Sequence, residues 1–147
     1  MLMPEPSIRA QYQAEIKRNQ DMTATLFREL TEAVQRYLDL MHDCDVARFD
    51  AVFYPTVQLH GYRSGRMQCW PAVEYKAILA ARKSPKSQGA PRDESILLID
   101  FASATQALVK VRLRINSDLF VDHLTYHRID GSWLITSKGY HLESEGR

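Results

Sequence analysis

Cysteine, glycine and long apolar runs are scarce in this chain, and charge of either sign is not in excess. The 147 residues hold two cysteines, Cys44 and Cys69, which lack the paired spacing of a zinc site. Met1-Leu2-Met3-Pro4-Glu5 has neither a basic n-region nor an apolar h-region, so the two thiols are expected to be reduced and the protein cytoplasmic. Six glycines form no phosphate-cradling loop. No apolar stretch approaches the roughly 20 residues that span a bilayer, so no membrane partner is expected. Nineteen basic residues against eighteen acidic ones leave a net charge of +1. Such a balance gives no global field to recruit nucleic acid, and the local basic group Arg82, Lys83, Lys86 and Arg92 reads as a solvated loop.

What is present suits one domain. The length is near the modal domain size, and a hydrophobic fraction of 45% is ordinary for a globular core. Residues 1–21 are polar with a thin stripe, Ile8, Tyr12 and Ile16, at helical spacing, and read as a helical N-terminal extension. Residues 22–147 read as a single domain. Leu26, Phe27, Leu30, Val34, Tyr37, Leu38 and Met41 recur every three or four residues, which predicts a helix with Thr23 or Thr25 as its cap. Tyr37 belongs to that stripe, with its hydroxyl expected to reach a cavity mouth. Asp45 can cap a short second helix, Val46 to Phe53, ended by Pro55. Residues 57–62 alternate as a strand, Ser64-Gly65 is a turn, and residues 66–70 can return as a hairpin. Pro71 then opens a third helix, whose apolar residues are Val73, Ala77, Ile78 and Ala81.

After a polar loop over residues 84–93, four strands follow. On 107–115, Ala107, Val109, Val111, Leu113 and Ile115 share one face and Lys110, Arg112 and Arg114 the other. The next strand is mixed. One face carries Val121, His123, Thr125 and His127, the other Phe120, Asp122, Leu124 and Tyr126. A strand apolar on both sides implies that the outer sheet face is covered, and a second copy of the chain is the simplest cover. Runs of helices followed by strands predict an α+β fold.

Several short stretches then carry a resemblance. Residues 34–45 (VQRYLDLMHDCD), 53–59 (FYPTVQL), 120–124 (FVDHL), 129–135 (IDGSWLI) and 138–140 (KGY), in that order, resemble the nuclear transport factor 2-like superfamily, in its lumazine-binding-like and polyketide-cyclase-like branch. The resemblance covers roughly residues 22–142. It implies a cone-shaped α+β fold, with a strongly bent, mixed and mostly antiparallel sheet wrapped around three helices and a central pocket. It also implies a homodimer through the outer sheet face. Members include isomerases, dehydratases, cyclases and pocketed proteins without known activity, so the fold alone does not give function. At the position matched to the ketosteroid isomerases' neutral acid stands Thr125, which argues against steroid isomerisation.

The chemistry-bearing residues sit on or beside strands. His60 and His123 are the candidate catalytic residues, since histidine exchanges a proton near neutral pH. In that reading Tyr62 or Tyr140 donates a hydrogen bond to developing oxyanion charge. Tyr54, Tyr62, Trp70, Tyr126, His127 and Tyr140 are the candidate ligand-binding residues, because an aromatic ring with a polar tip suits a pocket wall. His123 and His127 share a face but lie about 13 Å apart at ~3.3 Å per residue, too far for one metal ion. No metal and no cofactor are therefore expected. Asp122 and His123 point to opposite faces. If His123 faces the pocket, Asp122 faces outward, where Arg112 or Arg114 could pair with it. Two functions remain open: a pocket that binds a small hydrophobic or aromatic molecule, or a cofactor-free acid/base enzyme of isomerase, dehydratase or cyclase type.

Overall fold

A computed structural model describes residues 2–146. Helix α1 (Ile8–Asp43) is one unbroken helix of 36 residues, about 54 Å long at 1.5 Å per residue. Its cap is Ser7, whose Oγ accepts the Ala10 N–H at 3.2 Å, and not Thr23 or Thr25. Those two hydroxyls instead donate back to the carbonyls of Asn19 and Asp21 at 2.9 Å, a bond a helix interior accommodates. The polar extension and the apolar helix are thus one element. Residues 2–24 are exposed, and the buried stripe begins at Leu30 and continues through Ala33, Val34, Tyr37, Leu38 and Met41. Cys44 ends the helix in the left-handed region (φ 54°), its N–H bonded to Leu40 O at 2.8 Å.

The expected second α-helix is a 3-10 segment, Val46–Ala51, capped by Asp45. It stops before Phe53 because Phe53 already pairs with Ile135 in the sheet. Strands β1 (Phe53–Arg63) and β2 (Arg66–Pro71) form the hairpin, and α2 (Ala72–Ala81) follows. Strands β3 (Glu94–Ser103), β4 (Gln106–Ile115), β5 (Asp118–Ile129) and β6 (Ser132–Ser144) complete a bent six-stranded sheet of order β2-β1-β6-β5-β4-β3. Every neighbouring pair is antiparallel except β1 with β6. That parallel pairing brings the N-terminal hairpin and α2 beside the last strand, which makes the sheet mixed.

The inner face carries Val109, Val111, Leu113, Leu124, Tyr126, Trp133 and Ile135, all buried with the stripe of α1. α2 contributes Tyr75 and Leu79 to this core, while Val73, expected on the buried side, is 82% exposed. The aromatic cluster decides this: the Tyr75 ring lies 5.7 Å from Phe53 and 6.3 Å from Phe49. Two-residue turns set the registers. Ser64-Gly65 and Asp130-Gly131 have positive φ at both positions, the twist a tight hairpin requires. Among the described residues no helix is long and apolar enough to cross a membrane.

One irregularity matters for the site. Tyr126 pairs with Ile135, but Thr125 pairs with Ser137, so Thr136 is an extra residue in β6. Strict alternation from Trp133 would turn Lys138 and Tyr140 outward. The bulge turns both inward.

Candidate functional site

Asp122 is the surprise of the inner face. It lies opposite Val111 on β4 and Tyr140 on β6, and it is 1% exposed. It does not face outward to Arg112 or Arg114, which pair instead with Glu143 (2.8 Å) and Asp93 (3.3 Å). The reason is register: residues directly opposite share a face, and Val111 faces the core. The Tyr37 hydroxyl, from α1, donates to Asp122 Oδ2. Lys138 Nζ stands 3.7 Å from the same oxygen, donates to the Tyr75 hydroxyl at 3.2 Å, and sits 5.0 Å from the centres of both the Tyr37 and Tyr75 rings. The Tyr75 hydroxyl in turn points to Met41 Sδ at 3.3 Å. Four elements thus converge on one buried polar group.

Stability does not account for this group. Two charges about 4 Å apart attract by about 4 kcal/mol at an effective dielectric of ~20, whereas burying each ion costs several kcal/mol. The pair near breaks even, and Asp122 Oδ1 still has no hydrogen-bond partner. An orphaned buried acceptor calls for an explanation, and a role in accepting a ligand's donor is one.

A cavity of about 230 Å3 adjoins this group, with Asp122, Lys138 and Tyr75 in its lining. The apolar and aromatic part of its wall comes from Trp70 of β2, Ile78 of α2, Ile115 of β4 and Phe120 of β5. Trp70 Nε1 donates to the Tyr140 hydroxyl at 3.0 Å, and that hydroxyl donates to Gln68 Oε1 at 2.5 Å. Two arginines complete the lining. Arg63 pairs with Asp118 at 3.5 Å and lies 5.9 Å from the Phe120 ring centre. Arg82 follows α2 and has Nη1 buried without a hydrogen bond. Its charge lies close enough to Cys44 to oppose the upward push that burial gives that thiol's pKa.

Of the sequence-expected site residues, Trp70 and Tyr140 line this cavity. His60 and His123 do not. They alternate with the buried Leu59 and Leu124, so their side chains lie on the outer face, where they line a shallow depression with Tyr62, Met67 and His141. His60 Nε2 is 3.4 Å from Cys69 Sγ. His127 is also on the outer face, its Nδ1 2.6 Å from Thr136 Oγ1. Tyr126 is buried in the core. Tyr54 lines a wider depression of about 630 Å3 by the β5–β6 turn, among Glu29, Glu32, Arg36 and Asp50. We place the site at the smaller cavity because it joins aromatic walls to a buried carboxylate. Sequence reasoning missed Asp122, Lys138, Gln68 and both arginines. The signal for Asp122 was there: a two-residue turn, Asn116-Ser117, sets Val111 opposite it. Among the described residues no group of three His, Cys, Asp or Glu side chains is arranged to hold a metal ion.

Burial, then the neighbouring Asp122 charge, hold the Tyr37 hydroxyl well above the ordinary tyrosine pKa, and burial does the same for Tyr126. A raised folded-state pKa contributes stability that is full below about pH 10, the unfolded value, and is lost as pH climbs toward the folded one. Alkaline titration should therefore show the tyrosinate absorbance of Tyr37 and Tyr126 appearing only together with loss of far-ultraviolet dichroism. Ionisation of every tyrosine in a still-folded protein would contradict the burial of both.

A family model described as "Putative lumazine-binding" matches residues 26–141, most of the chain. The chain belongs to that family. Solved structures show that its fold is the nuclear transport factor 2-like one. It is similar to a nuclear transport factor 2-like protein of unknown function from Silicibacter pomeroyi (21% identity, 82% of this chain and 98% of that one, TM-score 0.71). A second such protein, from Shewanella baltica, is 18% identical over 83% of this chain and 97% of that one, with a TM-score of 0.73. A ketosteroid isomerase-like protein from Erwinia carotovora atroseptica is 14% identical over 80% and 95%, with a TM-score of 0.63. At such identities the likeness carries the nuclear transport factor 2-like fold and not a role. No curated protein matches the chain. The family match begins at residue 26, so the exposed first half of α1 lies outside it.

Proposed function

We propose that this nuclear transport factor 2-like domain binds a small, largely apolar or aromatic molecule in the cavity between α2 and the inner sheet face. One observation carries the reading: the buried Asp122 carboxylate keeps an oxygen unpaired at the lining of a cavity walled by Trp70 and Phe120. Aromatic walls joined to fixed polar groups are a usual composition of a ligand site, and the polar share here is large. The two tryptophans provide a direct test. Trp133 is sealed in the core at 1% exposure, so an occupant alters the emission of Trp70. Titrating single-ring compounds such as phenol is expected to change the fluorescence saturably, and Trp70→Phe to abolish the change. If no compound shifts the emission and mass spectrometry of the denatured protein finds no co-purified molecule, the binding reading fails.

A second reading, a cofactor-free acid/base enzyme of isomerase, dehydratase or cyclase type, is favoured by the Tyr37–Asp122 contact beside Lys138. A carboxylate positioned by Tyr37 and Lys138 with one oxygen unpaired is placed to act as an acceptor for a substrate proton. This reading moves the base from His60 and His123 to Asp122, while Tyr140 keeps a place at the cavity. Exchange of solvent deuterium into an enolisable cyclic ketone, lost in Asp122→Asn, is the result expected; no exchange above the buffer rate sinks it.

The outer sheet face is, in the same proposal, the surface that pairs with a second copy. Tyr62, Met67, Leu98 and Leu108 are large apolar residues left 68%, 60%, 47% and 38% exposed, and the outward-facing residues of β5 add Val121 and Thr125. Sedimentation of the wild type as a dimer, and of Leu108→Asp as a monomer, is expected. A monomeric wild type removes the partner.

A further inference from the structure

The cavity's charges do not balance, and the imbalance names a ligand class. Asp122 and Lys138 offset each other at 3.7 Å, and Arg63 has Asp118 at 3.5 Å. Arg82 has no carboxylate within salt-bridge distance among the described residues, and its Nη1 is buried with no acceptor. A buried guanidinium nitrogen without an acceptor is costly, since it has given up water and gained no hydrogen bond in return. On the other side of the ledger, Asp122 Oδ1 lacks a donor. The same cavity therefore lacks one acceptor and one donor, and carries one unpaired positive charge.

We infer that the cavity takes a small monocyclic carboxylate that also bears a hydroxyl or N–H group. The inference rests on the binding reading above. The ring lies between Trp70 and Phe120, the carboxylate answers Arg82, and the hydroxyl or N–H donates to Asp122. Size supports a single ring. A cavity of about 150 Å3 holds benzene, whereas drug-sized ligands need about 300–1,000 Å3; this one is about 230 Å3. Charge supports a carboxylate over a phosphate. A guanidinium fork matches either, but a single unpaired cation neutralises one negative charge, and a dianion would face the Asp122 carboxylate in a poorly solvated site.

The probes are para-hydroxybenzoate, benzoate, para-hydroxybenzamide and inorganic phosphate, titrated by calorimetry and by Trp70 fluorescence. Para-hydroxybenzoate is expected to bind best, with affinity above its neutral amide by about tenfold to a hundredfold, the equivalent of one charged hydrogen bond. Benzoate, which has no donor for Asp122, is expected to bind more weakly than para-hydroxybenzoate. Arg82→Gln is expected to erase the preference for carboxylate over amide, and Arg82→Lys to restore part of it. Equal affinity for acid and amide in the wild type overturns the carboxylate assignment and leaves the binding reading standing. Binding of phosphate in preference to the aromatic acids also overturns it. If none of the aromatic compounds binds, the assignment is overturned, and the binding reading falls with it when mass spectrometry also finds no co-purified molecule. Should Arg82→Gln fail to fold, the wild-type comparison of acid with amide decides alone.

Discussion

Replacing Lys138 by methionine, with Asp122 left in place, is expected to lower the free energy of unfolding by about 3–5 kcal/mol, the range for stranding one member of a buried ion pair. The two side chains are 4% and 1% exposed, so water cannot replace the lost ammonium. Tyr37 would remain the only hydrogen-bond donor to the carboxylate. The double variant Asp122→Asn, Lys138→Met removes both charges while keeping an acceptor for Tyr37, and is expected to recover most of the loss. Urea midpoints for the wild type and the two variants measure this. If the single substitution costs no more than the double one, the pair is not an interacting buried pair. The comparison also separates two roles of the group. A pair that costs about as much to bury as it returns is not a stability device, so a recovered double variant that no longer binds the cavity's occupant would assign the charges to the ligand.

Gly61→Ala is expected to reshape the cavity without touching it directly. A Cβ at Gly61 would stand 2.0 Å from Cε2 and 2.2 Å from Cζ of Tyr140, so the ring must move. The ring carries the hydroxyl that receives the Trp70 N–H and donates to Gln68, and both bonds go with it. Overpacking of this kind costs about 1–3 kcal/mol. The Trp70 emission should shift, and affinity for any occupant should fall. Adding Tyr140→Ala to Gly61→Ala makes room and is expected to restore part of the stability, though not the binding. A Gly61→Ala protein with unchanged stability and emission would mean that Tyr140 does not lie over Gly61.

These two sites also mark where sequence was informative and where it was not. The antiparallel strands, their turns and the faces of β4 were legible because side chains alternate strictly and the hairpin turns are short. Asp122 was legible too. Counting outward from Asn116-Ser117 places it opposite Val111, on the core face, and so places His123 outside. The expectation that put His123 at the pocket followed from the chemistry of histidine, not from that count. Tyr37 was read as part of the helical stripe, and it is; its hydroxyl, expected at a cavity mouth, is instead buried against Asp122, a partner that could not be named because it lies 85 residues away along the chain. The buried side of α2 was misread because its alanines and Val73 give no clear apolar face, and contact with Phe49 and Phe53 chose Tyr75 and Leu79 instead.

By itself, then, the order of periodic segments determined an α+β domain whose closing strands are antiparallel, while the scarcity of cysteine and glycine and the balanced charge excluded several classes of function. Local patterns suffice for that, because each reports which side of one element is dry. The tertiary structure decided the site. The bulge at Thr136 turned Lys138 and Tyr140 inward, the parallel pairing of β1 with β6 brought Trp70 and Tyr140 together, and the packing of α1 set Tyr37 on Asp122. A bulge shifts alternation by one residue with no strong mark in composition, and contacts between distant segments exist only once the whole sheet has closed on its helices.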